Sequence, residues 1–165
     1  MSDRPELDDL LGSVEDAMTV PVVTLPESTM AGEAARILER SGASGAPVTD
    51  DGERVVGFVT MKDLMVRAGM NTVAYSGPFH RFEHLLTGVP VDQVMSRDVV
   101  VAHADWPLMM AVETMGRRGI HRLPVVDGSG RLVGILTRDD VLGVLARRIR
   151  QLHPTAPRRS LLAPD

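Results

Sequence analysis

Apolar positions along this chain fall into short runs and helical stripes that alternate. Val22-Val23-Thr24 is a brief β-rich run. After it Met30, Ala34, Ile37, Leu38 and Ser41 recur at helical spacing, one face of an amphipathic helix. Ser28 or Thr29 is placed to cap that helix, and Gly42 to end it in a left-handed residue. Two apolar runs follow, Ala46–Thr49 and Val55–Val59, split by Asp50-Asp51-Gly52, which predicts two strands joined by a turn. A second helix starts after Thr60, with Leu64, Met65 and Ala68 on its apolar face. The same grammar returns later. Val99-Val100-Val101 is a run, and a helix capped by Asp105 with Pro107 in its first turn ends at Gly119. Leu123–Val126 and Leu132–Leu136 are strands around Asp127-Gly128-Ser129-Gly130, and Val141, Leu142, Leu145 and Ile149 mark a last helix after Thr137. The unit is β-α-β-β-α, twice.

The recurrence is an internal repeat. Residues 14–65 laid over 91–142, a constant offset of 77, match without a gap at 15 of 52 positions. Unrelated stretches of ordinary composition would match at roughly 3. The matches include Val14/Val91, Met18/Met95, Val22/Val99, Gly42/Gly119, Pro47/Pro124, Asp50/Asp127, Gly57/Gly134, Thr60/Thr137 and Asp63/Asp140. Two copies are too few for a solenoid, so they are expected to pack face to face. The expected layout is an acidic N-terminal tail at 1–13, repeat one at 14–68, a linker at 69–90, repeat two at 91–149, and an Arg/Pro-containing C-terminal tail at 150–165. In the linker, Ser76-Gly77-Pro78 opens and Gly88 closes a short helical signal with Phe79, Phe82, Leu85 and Leu86 on one face.

Composition narrows the chemistry. Of 165 residues, 18 are basic and 22 acidic, a net charge of −4, and none is cysteine. That excludes disulfides, thiolate metal sites and a cysteine nucleophile. Aromatic content is only 3%, which argues against base stacking on single strands, and the acidic balance argues against a nucleic-acid surface. No apolar run approaches a membrane span. Met1-Ser2-Asp3-Arg4-Pro5-Glu6 lacks a signal-peptide core, so a cytoplasmic protein is expected. Basic charge is almost all arginine, with Lys62 the only lysine. Arg147, Arg148, Arg150, Arg158 and Arg159 suit a helix C-terminus and solvated tail better than nucleic acid.

The pattern Gly-x4-Pro-Val-x-Asp followed by Val-Gly-φ-φ-Thr-x-x-Asp (φ apolar) resembles the cystathionine-β-synthase (CBS) domain. It runs from Gly42 through Pro47, Val48 and Asp50 to Val56-Gly57-Phe58-Val59-Thr60-Met61-Lys62-Asp63. It runs again from Gly119 through Pro124, Val125 and Asp127 to Val133-Gly134-Ile135-Leu136-Thr137-Arg138-Asp139-Asp140. Two in tandem resemble the CBS pair called a Bateman module. The resemblance implies an α/β fold of two β-α-β-β-α repeats about a pseudo-two-fold axis, with helices outside. It implies a regulatory, non-catalytic module for AMP, ADP, ATP or S-adenosylmethionine, with no other cofactor or metal. It also implies a homodimer paired through outer helices and a separate regulated protein as partner; Met65, Met109, Met110 and Met115 suit such a dimer surface, and a monomeric core explains them equally. A constitutive scaffold with non-functional pockets is the alternative.

Thr-x-x-Asp has two readings. One is a capping box, threonine as N-cap and the acid reaching back to its amide. The other adds a ligand, because a carboxylate can accept two vicinal hydroxyls and a helix N-terminus suits phosphate. By resemblance, phosphates on a nucleotide held by one repeat meet basic residues of the other. The site of Thr60 and Asp63 then gains His121 and Arg122, with histidine gaining charge beside phosphate. The site of Thr137 and Asp140 has Ser44-Gly45 at the matching positions and turns to Lys62 or Arg138. Asp139, where repeat one has Lys62, puts negative charge near the first site's phosphates and favours AMP over ATP, or a weaker site. Apolar walls for the base come from Val22, Val23, Pro47 and Val48, or from Val99, Val100, Pro124 and Val125. Separately, His80-Arg81-Phe82-Glu83-His84 spells H-x-x-E-H, an inverted zinc-peptidase motif. On a short linker helix a metal-dependent enzyme is the less favoured reading, and a polar helix face the simpler one.

Overall fold

A computed structural model describes residues 4–70 and 88–154. Helix α1 (Arg4–Leu11) and the short α2 (Val14–Ala17) lead into β1 (Leu25–Pro26), α3 (Ala31–Ser41), β2 (Gly45–Thr49), β3 (Val55–Thr60) and α4 (Met61–Met70). After the linker come a 3-10 turn (Val91–Gln93), β4 (Ala102–His103), α5 (Leu108–Arg118), β5 (Arg122–Val126), β6 (Leu132–Thr137) and α6 (Arg138–Leu152). The two three-stranded sheets have orders β1-β2-β3 and β4-β5-β6. In each, the first pair is parallel and the second antiparallel. Each ladder shifts register at one place, Val48/Thr49 in the first and Val125/Val126 in the second. Those positions are equivalent under the 77-residue offset.

The segments that precede β1 and β4 are exchanged between the halves. The amide of Thr19 donates to the Ile135 carbonyl at 2.8 Å and the Ile135 amide returns to Thr19 at 3.1 Å. Ser96 and Phe58, their equivalents, exchange two bonds of 2.9 Å. The cores follow this exchange. Leu25, Leu38, Val48, Val59 and Leu64 are buried with Val91, Val94 and Met95. Leu108, Leu123, Val125, Leu136 and Val141 are buried with Leu11 and Val14. Gly57 and Gly134 belong to the same device. A Cβ on Gly57 would collide with Sδ of Met95, and one on Gly134 with Sδ of Met18. Each strand thus leaves a slot for the methionine of the other repeat.

Several expectations change in the structure. The valine pairs at 22–23 and 99–100 lie outside the strands, which form two residues later as β1 and β4. Neither α3 nor α5 has a side-chain cap. Their N-caps are Met30 and Pro107, not Ser28, Thr29 or Asp105. Instead the first helical amides, Ala31 and Leu108, donate to the carbonyls of Val89 and Gly12 at 2.8 and 2.9 Å. These carbonyls lie just before repeats two and one, so the lead-in to each repeat caps a helix of the other. On α3 the buried face is Ala31, Ala34 and Leu38, while Met30 and Ser41 are exposed. Met65, Leu142 and Ile149 face outward, whereas Val144 is buried. Met115 belongs to the core. Residues 4–11, read as tail, form α1 and pack against α5 and α6. As expected, Gly42 and Gly119 end their helices with φ of 68° and 63°. The side chain of Ala68, the linker readings with His80 and His84, and the tail beyond residue 154 lie outside the described residues. Among the described residues no helix is long and apolar enough to cross a membrane.

Candidate functional site

Both Thr-x-x-Asp motifs sit where an antiparallel strand turns directly into a helix. Asp63 Oδ2 accepts from the Thr60 amide at 2.9 Å and from its hydroxyl at 2.7 Å, while Thr60 Oγ1 accepts from the Asp63 amide at 3.1 Å. Asp140 repeats this with Thr137 at 2.7, 2.7 and 3.3 Å. The capping reading therefore holds at both positions. It engages Oδ2 and leaves Oδ1 of each carboxylate to face outward from the cap.

Around Asp63 opens a cavity of about 530 Å³. Repeat one contributes Ser44, Phe58, Thr60, Met61, Lys62 and Asp63 to its lining. Repeat two contributes Ser96, Asp98, Val99, Val100, Ile120, His121, Arg122 and Pro124. The acid-tipped helix start of one repeat thus shares a single hollow with His121 and Arg122 of the other. The half-buried Val99 and Val100, with buried Pro124, supply an apolar wall. Lys62, assigned from sequence to the Asp140 side, lies in this cavity with Asp63, because it occupies the first turn of the same helix. Asp139 is not part of the lining; the acid that faces this space beside Asp63 is Asp98. Val48 and Val125 are fully buried in the cores and do not line this cavity. Pro47 is buried, Val22 is half-buried, and Val23 packs on the first core.

Arg138 also departs from its expected place. Its Nη1 lies 3.1 Å from His121 Nδ1. A guanidinium only donates, so in this contact Nδ1 is the acceptor. The same two residues line a separate hollow of about 430 Å³ between α5 and α6, with Ile120, Val141, Leu142 and Leu145.

At Asp140 the free oxygen is already engaged: Thr19 Oγ1 donates to Oδ1 at 3.0 Å. At Asp63 the corresponding oxygen has Arg67 Nε at 3.6 Å. Arg67 itself donates to the carbonyls of Val94 and Met95 at 3.1 and 3.2 Å, tying α4 to the exchanged segment. Sequence inspection missed Thr19, Ser96, Asp98 and Arg67, because none is identical between repeats and their placement depends on the exchange. Among the described residues two carboxylates have a lowered pKa, both away from the cavity. Asp16 is lowered by the Ser13 amide and then its hydroxyl. Asp127 is lowered by the Ser129 hydroxyl and then by the amides of Arg131 and Ser129. No cluster able to hold a metal ion occurs among the described residues.

The CBS domain family model matches residues 14–68 and 91–147. The chain belongs to the CBS domain family, as a tandem pair. A solved CBS-pair protein, CBSX2 of Arabidopsis thaliana in complex with AMP, is 28% identical with a TM-score of 0.69 and covers 84% of this chain and 98% of its own. The CBS domain pair of protein MJ0100, in complex with 5′-methylthioadenosine and S-adenosyl-L-methionine, is 26% identical with a TM-score of 0.67, covering 83% and 98%. Among curated relatives, homoserine O-acetyltransferase of Methanococcoides burtonii is 30% identical over 78% of this chain. Inosine-5′-monophosphate dehydrogenase of Methanocaldococcus jannaschii is 29% identical over 87%. The chain spans only 23% and 24% of the length of those two enzymes.

Proposed function

We propose that this CBS pair is a regulatory binding module for an adenosine-containing small molecule, acting on a separate protein chain. The observation that carries the reading is the single cavity joining Thr60 and Asp63 to His121 and Arg122 across the repeat boundary. In this reading Asp63 Oδ1 accepts the vicinal hydroxyls of a ribose while Oδ2 keeps the helix cap. The base lies on Val99, Val100 and Pro124, an apolar wall of the kind that suits a planar heterocycle. Phosphate is met by Lys62, by the fork of Arg122 and by His121, near the positive end of α4. The ligands bound by CBSX2 and by the MJ0100 pair support this class. With two cations and the acids Asp63 and Asp98 around the space, a monophosphate is favoured over a triphosphate. The role in this reading is binding rather than turnover.

The module pairs with a second copy through the outer faces of α4 and α6, where Met65, Val66, Leu142 and Ile149 are exposed. The test of the ligand reading is thermal. A ligand of the folded state at a hundred times its Kd adds about 2.7 kcal/mol, a rise in Tm of roughly 5–10 °C for a chain of this size. AMP is expected to produce it and Asp63→Asn to remove it. A melting curve unchanged by AMP, ADP, ATP and S-adenosylmethionine overturns the reading and leaves a constitutive scaffold.

A further inference from the structure

The two Thr-x-x-Asp helix starts share the same capping bonds but differ at the second carboxylate oxygen. Thr19 and Ser96 are equivalent under the 77-residue offset, and each is held by a pair of backbone bonds to the other repeat's strand, Thr19 to Ile135 and Ser96 to Phe58. Their hydroxyls behave differently. Thr19 Oγ1 donates to Asp140 Oδ1 at 3.0 Å. Among the described residues no hydrogen bond joins Ser96 to Asp63, and Ser96 instead lines the open cavity. The difference has a stereochemical basis. A β-branched threonine has a restricted χ1, and serine lacks the branch that restricts it.

We propose that Thr19 is a built-in stand-in for a ligand hydroxyl at Asp140, so that the chain takes one adenosine ligand, at Asp63, and keeps its second crevice closed to the diol. This rests on the adenosine reading above and adds to it a stoichiometry and the residue that sets it. The Thr19 bond fills one of the two lone pairs of Asp140 Oδ1, so a diol that needs both has to displace it, whereas at Asp63 the same oxygen has only the longer Arg67 contact of 3.6 Å. One such bond corresponds to about a tenfold difference in affinity. The surroundings act in the same direction. The Asp140 helix start carries Asp139 where α4 has Lys62, and Arg138 beside it is turned to His121. The matching positions of His121 and Arg122 are Ser44 and Gly45, which bring no charge.

Calorimetric titration of the full chain with AMP tests this through two reciprocal variants. Wild type is expected to bind one AMP, with any second event at least about tenfold weaker. Thr19→Val is expected to reveal a second event, tightened about tenfold and removed again by Asp140→Asn. Ser96→Thr is expected to weaken the first event about tenfold. Thr19 is exposed, and Thr19→Ala serves as a second variant, with circular dichroism melts to check folding. Two equal events in wild type, or a Thr19→Val titration that matches wild type, overturns the stand-in while leaving the adenosine reading intact. Absence of binding by every variant overturns the adenosine reading, and this inference falls with it.

Discussion

Glu53 holds φ of 61°, the left-handed region, while the equivalent position in repeat two is Gly130 at 83°. A side chain there costs roughly 1–2 kcal/mol, and glycine gives back about 0.5–1 kcal/mol through its freer unfolded state. Glu53→Gly is therefore expected to stabilise by about 0.5 kcal/mol, and Gly130→Ala to destabilise by about 1 kcal/mol, both measurable by denaturant titration. At the same scale, Asp127 holds the β5–β6 turn by accepting from Ser129 and Arg131. Its folded pKa lies below its ordinary value, so its contribution is full above that value and is lost as pH falls through the folded one. Asp16 behaves alike. Asp127→Asn keeps an acceptor but cannot titrate, so its Tm should fall less steeply than wild type between about pH 4 and pH 2. Individual cavity residues were legible where the repeat made them stand out, as with Asp63 and the His121-Arg122 pair. The bond between Arg138 and His121 was not, because it joins a helix start to a strand start seventeen residues apart.

Elements follow their local signals only as far as those signals are local. The Thr137 cap is local and was readable. Thr137→Ala should cost about 1 kcal/mol, whereas Ser28→Ala and Asp105→Ala should stay within about 0.5 kcal/mol, since neither residue caps its helix. The α3 and α5 starts take their acceptors from Val89 and Gly12, residues remote from the helices they serve, and no nearby side chain announces that. The same holds for the glycines. Gly57 and Gly134 read as repeat identities, but the cause is the methionine laid over each. Met95 is only 5% exposed and cannot move aside, while Met18 is half-buried and can. Gly57→Ala is therefore expected to cost about 1–3 kcal/mol and Gly134→Ala less. A Gly57→Ala/Met95→Ala double variant should be less damaging than the sum of the two.

For the molecule as a whole, the alternation of strands and helices and the repeat specified the architecture, whereas the partition of the cores followed contacts that no single repeat contains. The outer faces give a further expectation. Sedimentation should show a dimer, and Leu142→Glu combined with Ile149→Glu should return monomers, since both side chains are exposed on α6. The exchanged segments carry a consequence for any attempt to divide the chain. A fragment ending near residue 68 would own a lead-in it cannot use and a sheet whose slot at Gly57 stands open. Met18 has the size and chemistry of Met95, so two such fragments would clasp one another reciprocally, each filling the other's groove. Half of this protein is thus built to behave as a handshake rather than as a freestanding unit.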